Sequence, residues 1–223
     1  MAKNEAVFQL RASHPPRPGG KALVYGAGAL GTMAVAILRA LHPDVAIAVI
    51  ARFPAQAAIA RALGADLVLD DPFDRLALIE QLTAWSGGKI VPIPKGLPMA
   101  HPGGIDVVYD TVGKAETFEV GVRVLATRGT LVQSGVHCAD RWDASPLYFK
   151  EISFVGSNAF GVETVDGVRK HGIRHYLDLA SSGRVDLGGL LTHTFALDAW
   201  RDAFGALARQ ERSGAMKVAF DFR

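Results

Sequence analysis

With 223 residues, 49% of them hydrophobic and 21% charged, the chain has the balance of one large globular domain rather than of a disordered or fibrous protein. Its formal net charge of +2 gives no electrostatic reason for a nucleic-acid partner. Cys138 is the single cysteine, which excludes an internal disulfide and a cysteine cluster for zinc; no apolar run approaches the roughly 20 residues that span a bilayer. The expectation is a cytoplasmic protein with no membrane segment.

Residues 5–12 have helical character, and His14-Pro15-Pro16-Arg17-Pro18-Gly19-Gly20 stops it, because consecutive prolines fix φ and remove donors. Lys21–Tyr25 reads as a buried strand, Leu30–Leu41 as a helix of small and aliphatic residues, and Val45–Ala51 as a second strand. Pro54–Leu63 follows as a helix stopped by Gly64, then Leu67–Leu69 as a strand and Asp74–Trp85 as an amphipathic helix. Ser86–Gly104 is rich in proline and glycine and is expected to lack regular structure; lid, interface and simple insertion are its open roles. Ile105–Tyr109 is a strand, Lys114–Ala126 a helix, and Thr130–Ser134 and Ile152–Gly156 are strands, with a helix between Val165 and Ser182. This alternation predicts an α/β fold, a doubly wound parallel sheet of the Rossmann type.

The run Gly26-Ala27-Gly28-Ala29-Leu30-Gly31 falls where the first strand turns into the first helix. A dinucleotide site needs this pattern at that junction. Gly26 permits the tight turn, Gly28 lets the backbone approach a pyrophosphate, and Gly31 allows the helix to pack closely on the strand. Free amides at the helix start, through Ala29 and Leu30, then face the phosphate charge. The competing reading is a small-residue turn in an α/β protein that binds no nucleotide. About twenty residues further on, an NAD site places an acid on the ribose hydroxyls. Here Ala51-Arg52 stands instead. A guanidinium with no neighbouring carboxylate suits a 2′-phosphate, through hydrogen bonds worth about 1.5–3 kcal/mol. NADP(H) is therefore favoured, with NAD(H) as the alternative cofactor; a solvated or adenine-stacked Arg52 is the rival reading.

Several strings together resemble the cofactor-binding half of the zinc-type medium-chain alcohol dehydrogenase superfamily. They are LVYGAGALG, ARALGADLVLD, IDVVYDTVG, GTLVQSGV, FVGSNAFG and the closing stretch from SSGRVDLGG to AMKVAFDF. The resemblance runs from about Pro15 onward. It implies that Thr111 and Val112 lie beside the adenosine or ribose, that Ser134, Gly135 and Val136 line the groove near the nicotinamide, and that Ser157 and Asn158 approach the carboxamide. Each of these could instead be a strand-end turn residue, and for Gly113 and Gly135 the turn alone is sufficient reason. The family's N-terminal catalytic barrel, which supplies most zinc ligands and the substrate pocket, has no counterpart in this sequence. The resemblance accordingly assigns no catalytic residue and no zinc to this chain. It divides the sequence into an arm and linker (1–20), a dinucleotide-binding domain (21–189), and a segment (190–223) that returns to the catalytic domain in relatives. Within that segment Thr192–Leu197 and Lys217–Phe222 are strand-like and would be unpartnered or pair locally.

Other constellations carry less. His171 and His175, four apart on the expected helix, read as an exposed polar face rather than a metal site. His137 beside Cys138 is not expected to make a reactive thiol, because sequence neighbours rarely face each other. His101 reads as solvated, and Trp85, Trp142 and Trp200 as core or interface anchors. The leading expectation is the NADP(H)-binding part of an oxidoreductase that moves hydride to or from an alcohol or carbonyl carbon. A catalytic-domain partner chain would complete it; a homodimer pairing through Ile152–Gly156 is a further option. The alternative is a non-catalytic dinucleotide-binding or sensor module.

Overall fold

A computed structural model describes residues 14–71, 74–94, 96–136, 141–158 and 161–222. The expected helix over 5–12 and the His137-Cys138 pair lie outside the described residues. The first unit is strand β1 (Lys21–Tyr25), helix α1 (Ala29–Leu41), β2 (Ala46–Ala51), α2 (Pro54–Ala62) and β3 (Leu67–Asp70). Helix α3 (Arg75–Ser86) starts where Asp74 accepts hydrogen bonds from the amides of Leu76 (3.0 Å) and Ala77 (3.2 Å), and it stops at Gly87 with φ 76°. Two short strands, β4 (Ile90–Val91) and β5 (Met99–Ala100), precede β6 (Ile105–Asp110), α4 (Ala115–Val124) and β7 (Leu125–Gln133).

After the short helix α5 (Ser145–Phe149) comes β8 (Ser153–Gly156), then a hairpin of β9 (Val162–Val165) and β10 (Val168–His171), and α6 (Gly172–Ser181). The chain closes with β11 (Leu191–Ala196), α7 (Trp200–Ala208), α8 (Gln210–Ser213) and β12 (Lys217–Asp221). Six strands form one parallel sheet in the order β3-β2-β1-β6-β7-β8. Renumbered within the sheet, that is 3-2-1-4-5-6, the doubly wound order expected from the alternating pattern.

The strands read as near-continuous apolar runs because helices cover the sheet on both sides. In β1, Ala22 and Val24 pack into one core with Met33, Ile37 and Leu38 of α1 and Ala57 and Ala60 of α2. Leu23 and Tyr25 face the opposite core, with Leu78 and Leu82 of α3 and Phe118 and Val122 of α4. Each fully buried aliphatic side chain contributes about 1.5–3 kcal/mol. Leu190 and Met216 join the first core, so the C-terminal segment is packed onto the sheet domain rather than set apart from it.

Two expectations change. The stretch 86–104 is not wholly irregular: β4 and β5 pair antiparallel, Ile90 opposite Ala100 and Val91 opposite Met99. Burial of Ala100, and a hydrogen bond from the Arg123 guanidinium to the Leu97 carbonyl, hold it against the body. Second, His175 is buried rather than solvated, with Nε2 at 3.1 Å from the Glu163 carbonyl, while His171 is the N-cap of α6. The helix expected between Val165 and Ser182 is α6, with the β9–β10 hairpin ahead of it. The two C-terminal strands pair locally, β11 parallel to β12.

Candidate dinucleotide site

The register of the parallel sheet brings distant loops into line. Ile50, Tyr25, Asp110, Gln133 and Gly156 form one row across β2, β1, β6, β7 and β8. The residues just beyond that row continue the ladder. Gly26 donates its amide to Ile50 (3.1 Å), Thr111 to Tyr25 (3.0 Å), Ser134 to Asp110 (2.9 Å) and Ser157 to Gln133 (2.9 Å). Gly26, Thr111, Ser134 and Ser157 thus occupy a single edge of the sheet, with Arg52 one residue past the end of β2. The strand order reverses between β1 and β6, and ligands of open α/β sheets bind in the crevice at such a switch point.

The three glycines meet three different environments. Gly26 has φ 94°, and a Cβ there would lie 2.6 Å from Val112 Cγ2 and 2.7 Å from Thr111 Oγ1. A Cβ on Gly31 would stand 1.8 Å from the Gly26 carbonyl oxygen, so the helix approaches the turn as closely as backbone allows. A Cβ on Gly28 would meet nothing within 4 Å. Packing therefore accounts for Gly26 and Gly31 but not for Gly28, which faces open space. Gly28 is also the N-cap of α1 and offers no side-chain cap, which leaves the first-turn amides at Ala29, Leu30 and Gly31 without intrahelical acceptors.

Across the crevice, Asp110 organises the loop after β6. Its buried carboxylate accepts from the amides of Val112 and Gly113, both at 2.9 Å, and from the Thr117 hydroxyl at 2.9 Å. Burial pushes this carboxyl above its ordinary pKa, while the same three hydrogen bonds pull it back. Thr111 turns its hydroxyl inward and donates to the carbonyls of Tyr25 (2.8 Å) and Gly26 (3.2 Å), so it clamps the glycine turn. Ser134 Oγ donates to the Asp110 carbonyl at 3.3 Å. Cβ atoms on Gly113 or Gly135 would each fall within 2.4 Å of the other loop's backbone, so loop packing is sufficient reason for both glycines.

Val136 is 91% exposed beside the crevice, and Asn158 is exposed as well. Burial and the Asp71 carboxylate, 3.3 Å from its hydroxyl, push the Tyr25 phenol well above its ordinary pKa and keep it a neutral part of the wall. Arg52 is exposed and lies over the Phe53 ring at 5.4 Å from its centroid. Each candidate cofactor-binding residue is therefore at or next to one edge of the sheet. Asp110 was missed; its signal was an acid closing a strand just before Thr111-Val112-Gly113, where a carboxylate can bond the amides two and three residues on. Among the described residues, no group of three or more His, Cys, Asp or Glu side chains is placed to hold a metal ion.

A parallel sheet in this order, with a glycine turn at its switch point, defines a Rossmann-type domain. The chain belongs to the family described as "Zinc-binding dehydrogenase", whose model matches residues 29–178. It is 29% identical over 203 residues to an alcohol dehydrogenase of Cupriavidus necator, a match covering 91% of this chain and 50% of the relative. To a NAD-dependent alcohol dehydrogenase of Saccharolobus solfataricus it is 32% identical over 197 residues, covering 84% and 49%. Among solved structures, an alcohol dehydrogenase of Escherichia coli complexed with NADH superposes with a TM-score of 0.76 at 18% identity, over 97% of this chain and 56% of that one. A candidate zinc-binding dehydrogenase of Sinorhizobium meliloti bound to NADP gives 0.72 at 20% identity, over 99% and 58%. The chain spans about half the length of the curated relatives it matches. No helix among the described residues is long and apolar enough to cross a membrane.

Proposed function

We propose that this chain is the NADP(H)-binding domain of an alcohol-dehydrogenase-like oxidoreductase, working in the cytoplasm and completed by a catalytic domain from a longer or partner chain. The observation that carries the reading is the open side of Gly28, set between packed Gly26 and Gly31 at the β1–β6 switch point. There the backbone exposes amides and nothing of the protein fills the space in front of them. The pyrophosphate would lie on the first turn of α1. Val112 would line the adenosine side, and Ser134, Gly135, Val136, Ser157 and Asn158 the nicotinamide side. When bound, the nicotinamide supplies the hydride chemistry; the residues of this chain bind and orient it.

Relatives include a NAD-dependent enzyme and structures holding either cofactor, so the preference for NADP(H) rests on Arg52. Among the described residues no carboxylate pairs with it, and the ribose end of the site has a cation where an NAD site has an acid. Residues 21–189 form the binding unit in this reading, and 190–223 the part that meets the catalytic domain or, in a homodimer built across β8, stands beside it. Calorimetric titration of the full chain with NADPH and NADH tests the proposal. NADPH is expected to bind about tenfold or more tighter, with Arg52→Ala removing most of the difference. Equal wild-type affinities would overturn the NADP(H) preference, and binding of neither would overturn the whole reading.

A further inference from the structure

Arg52 does not stand alone. A cavity of about 430 Å³ at the end of β2 is lined on one side by Arg52 and Phe53, and on the other by the end of α7 and by Arg209, Glu211 and Arg212 around α8. The segment carrying these residues is fixed in place. The amides of Arg212 and Ser213 both donate to the Arg209 carbonyl at 2.9 Å, and Ser213 Oγ donates to Ala206 at 2.7 Å. A Cβ on Gly214 would touch Ala55 Cβ at 3.9 Å, which sets this turn against the start of α2.

The cavity gathers three arginines in one lining. Arg17, Arg39, Arg75, Arg123 and Arg128 each pair with a carboxylate. Arg52, Arg209 and Arg212 have no ion pair among the described residues, although all three are exposed and Glu211 lies in the same wall. Three guanidiniums against one carboxylate leave a net +2 facing one space. Forked donors from opposite walls suit the oxygens of a phosphate monoester better than a diffuse surface cation would.

We infer that Arg209 and Arg212 complete the 2′-phosphate pocket with Arg52, so that the C-terminal segment helps set the choice of cofactor. This rests on the NADP(H) reading above and adds residues to it. The prediction it makes is different: selectivity does not reside only in the loop after β2. It is built from that loop and the C-terminal segment together.

Calorimetric titrations of the full chain with NADPH, NADH, 2′,5′-ADP and 5′-AMP test this on wild type, Arg52→Ala and the double variant Arg209→Ala/Arg212→Ala. The double variant is expected to bind NADPH and 2′,5′-ADP about tenfold or more weakly, while NADH and 5′-AMP change less than about twofold. If only Arg52→Ala lowers the NADPH preference, the inference fails and the NADP(H) reading survives. If all four ligands weaken equally in the double variant, the arginines serve the adenine, the 5′-phosphate or the fold, and the inference also fails. Equal binding of NADPH and NADH by wild type defeats both. Should the double alanine variant lose its cooperative melt, Arg209→Lys/Arg212→Lys decides. It keeps charge but loses the fork, and it is expected to weaken 2′,5′-ADP selectively; unchanged binding of all four ligands would overturn the inference.

Discussion

Two pairs of parallel strands in this molecule have opposite surroundings. β1 and β2 are buried along nearly their whole length, with helices on each face. β11 and β12 are half-buried to exposed, and the helix beside them, α7, leaves Phe204 61% and Trp200 45% exposed. Parallel sheets are almost always covered on both sides. The first pair therefore reads as a finished interior that can hold a ligand rigidly at its edge. The second has its backbone bonds and α7 packed beside it, but its side chains stay half-buried or exposed, and this is the surface expected to meet a catalytic domain or a second copy in the proposed function. Pairing and burial are separate achievements, and only the first pair combines them.

The sharpest way to break this contrast is to disturb the finished side. Gly31→Val would force a side chain through the Gly26 carbonyl, so either α1 moves away from β1 or the turn reopens. The expected cost is about 3 kcal/mol or more in urea unfolding, together with loss of dinucleotide binding. A variant of wild-type stability would mean that α1 is not seated as tightly as its glycine contact requires.

A second effect comes from the covered side of β7. Lys150 is fully buried and donates to the carbonyls of Arg123 (2.9 Å) and Leu125 (2.7 Å), closing the end of α4. Burial, and then the Arg123 charge, push its pKa down to about 7 from 10.5. Between those values the unfolded chain binds the proton that the folded chain releases. Stability is therefore expected to rise with pH from about 7 to 10.5, by up to about 1 kcal/mol per pH unit, and to lose that gain as pH falls back through 7. Lys150→Met should flatten this part of the profile in urea titrations. A slope identical to wild type would show that the ammonium stays charged in the interior.

The parts legible in the sequence are those where burial is two-sided. The runs around Leu23, Ile47 and Val108 could hardly be anything but central strands, and their alternation with helices pointed to a doubly wound parallel sheet. The β9–β10 hairpin has a sequence signal too, in Asp166-Gly167 with φ 50° and 78°, the pair that two-residue turns favour. The pairing within 86–104 was not legible, because part of what holds it is Arg123 on a different element. For the same reason Arg209 and Arg212 gave no sequence signal: only the return of the chain brings them beside Arg52. The glycine motif showed where phosphate would lie, but only the structure separates Gly28, with empty space before it, from Gly26 and Gly31.

That separation yields a smaller and more selective effect. Gly28 lies at φ −71°, where any residue fits, and its Cβ position is open. Gly28→Ala is expected to leave stability within about 0.5 kcal/mol while weakening NADPH and NADH alike by about tenfold, since the methyl occupies the pyrophosphate's approach. Unchanged affinity would place the phosphates elsewhere and undo the functional reading at its base.

On the unfinished side, the smallest change in stability should accompany a visible change in association. Phe204 meets Trp200 edge to face at 6.3 Å between centroids, and both face outward from α7. Phe204→Ser removes little buried area, so the urea midpoint should move by no more than about 0.5 kcal/mol equivalent. It also removes a large part of an exposed apolar surface, and self-association measured by sedimentation velocity should fall. A loss of about 2 kcal/mol or more would show that Phe204 is core, and the C-terminal strands would then be as complete as β1 and β2. A small loss with reduced association would instead mark α7 as a surface that meets another protein rather than a wall of this one.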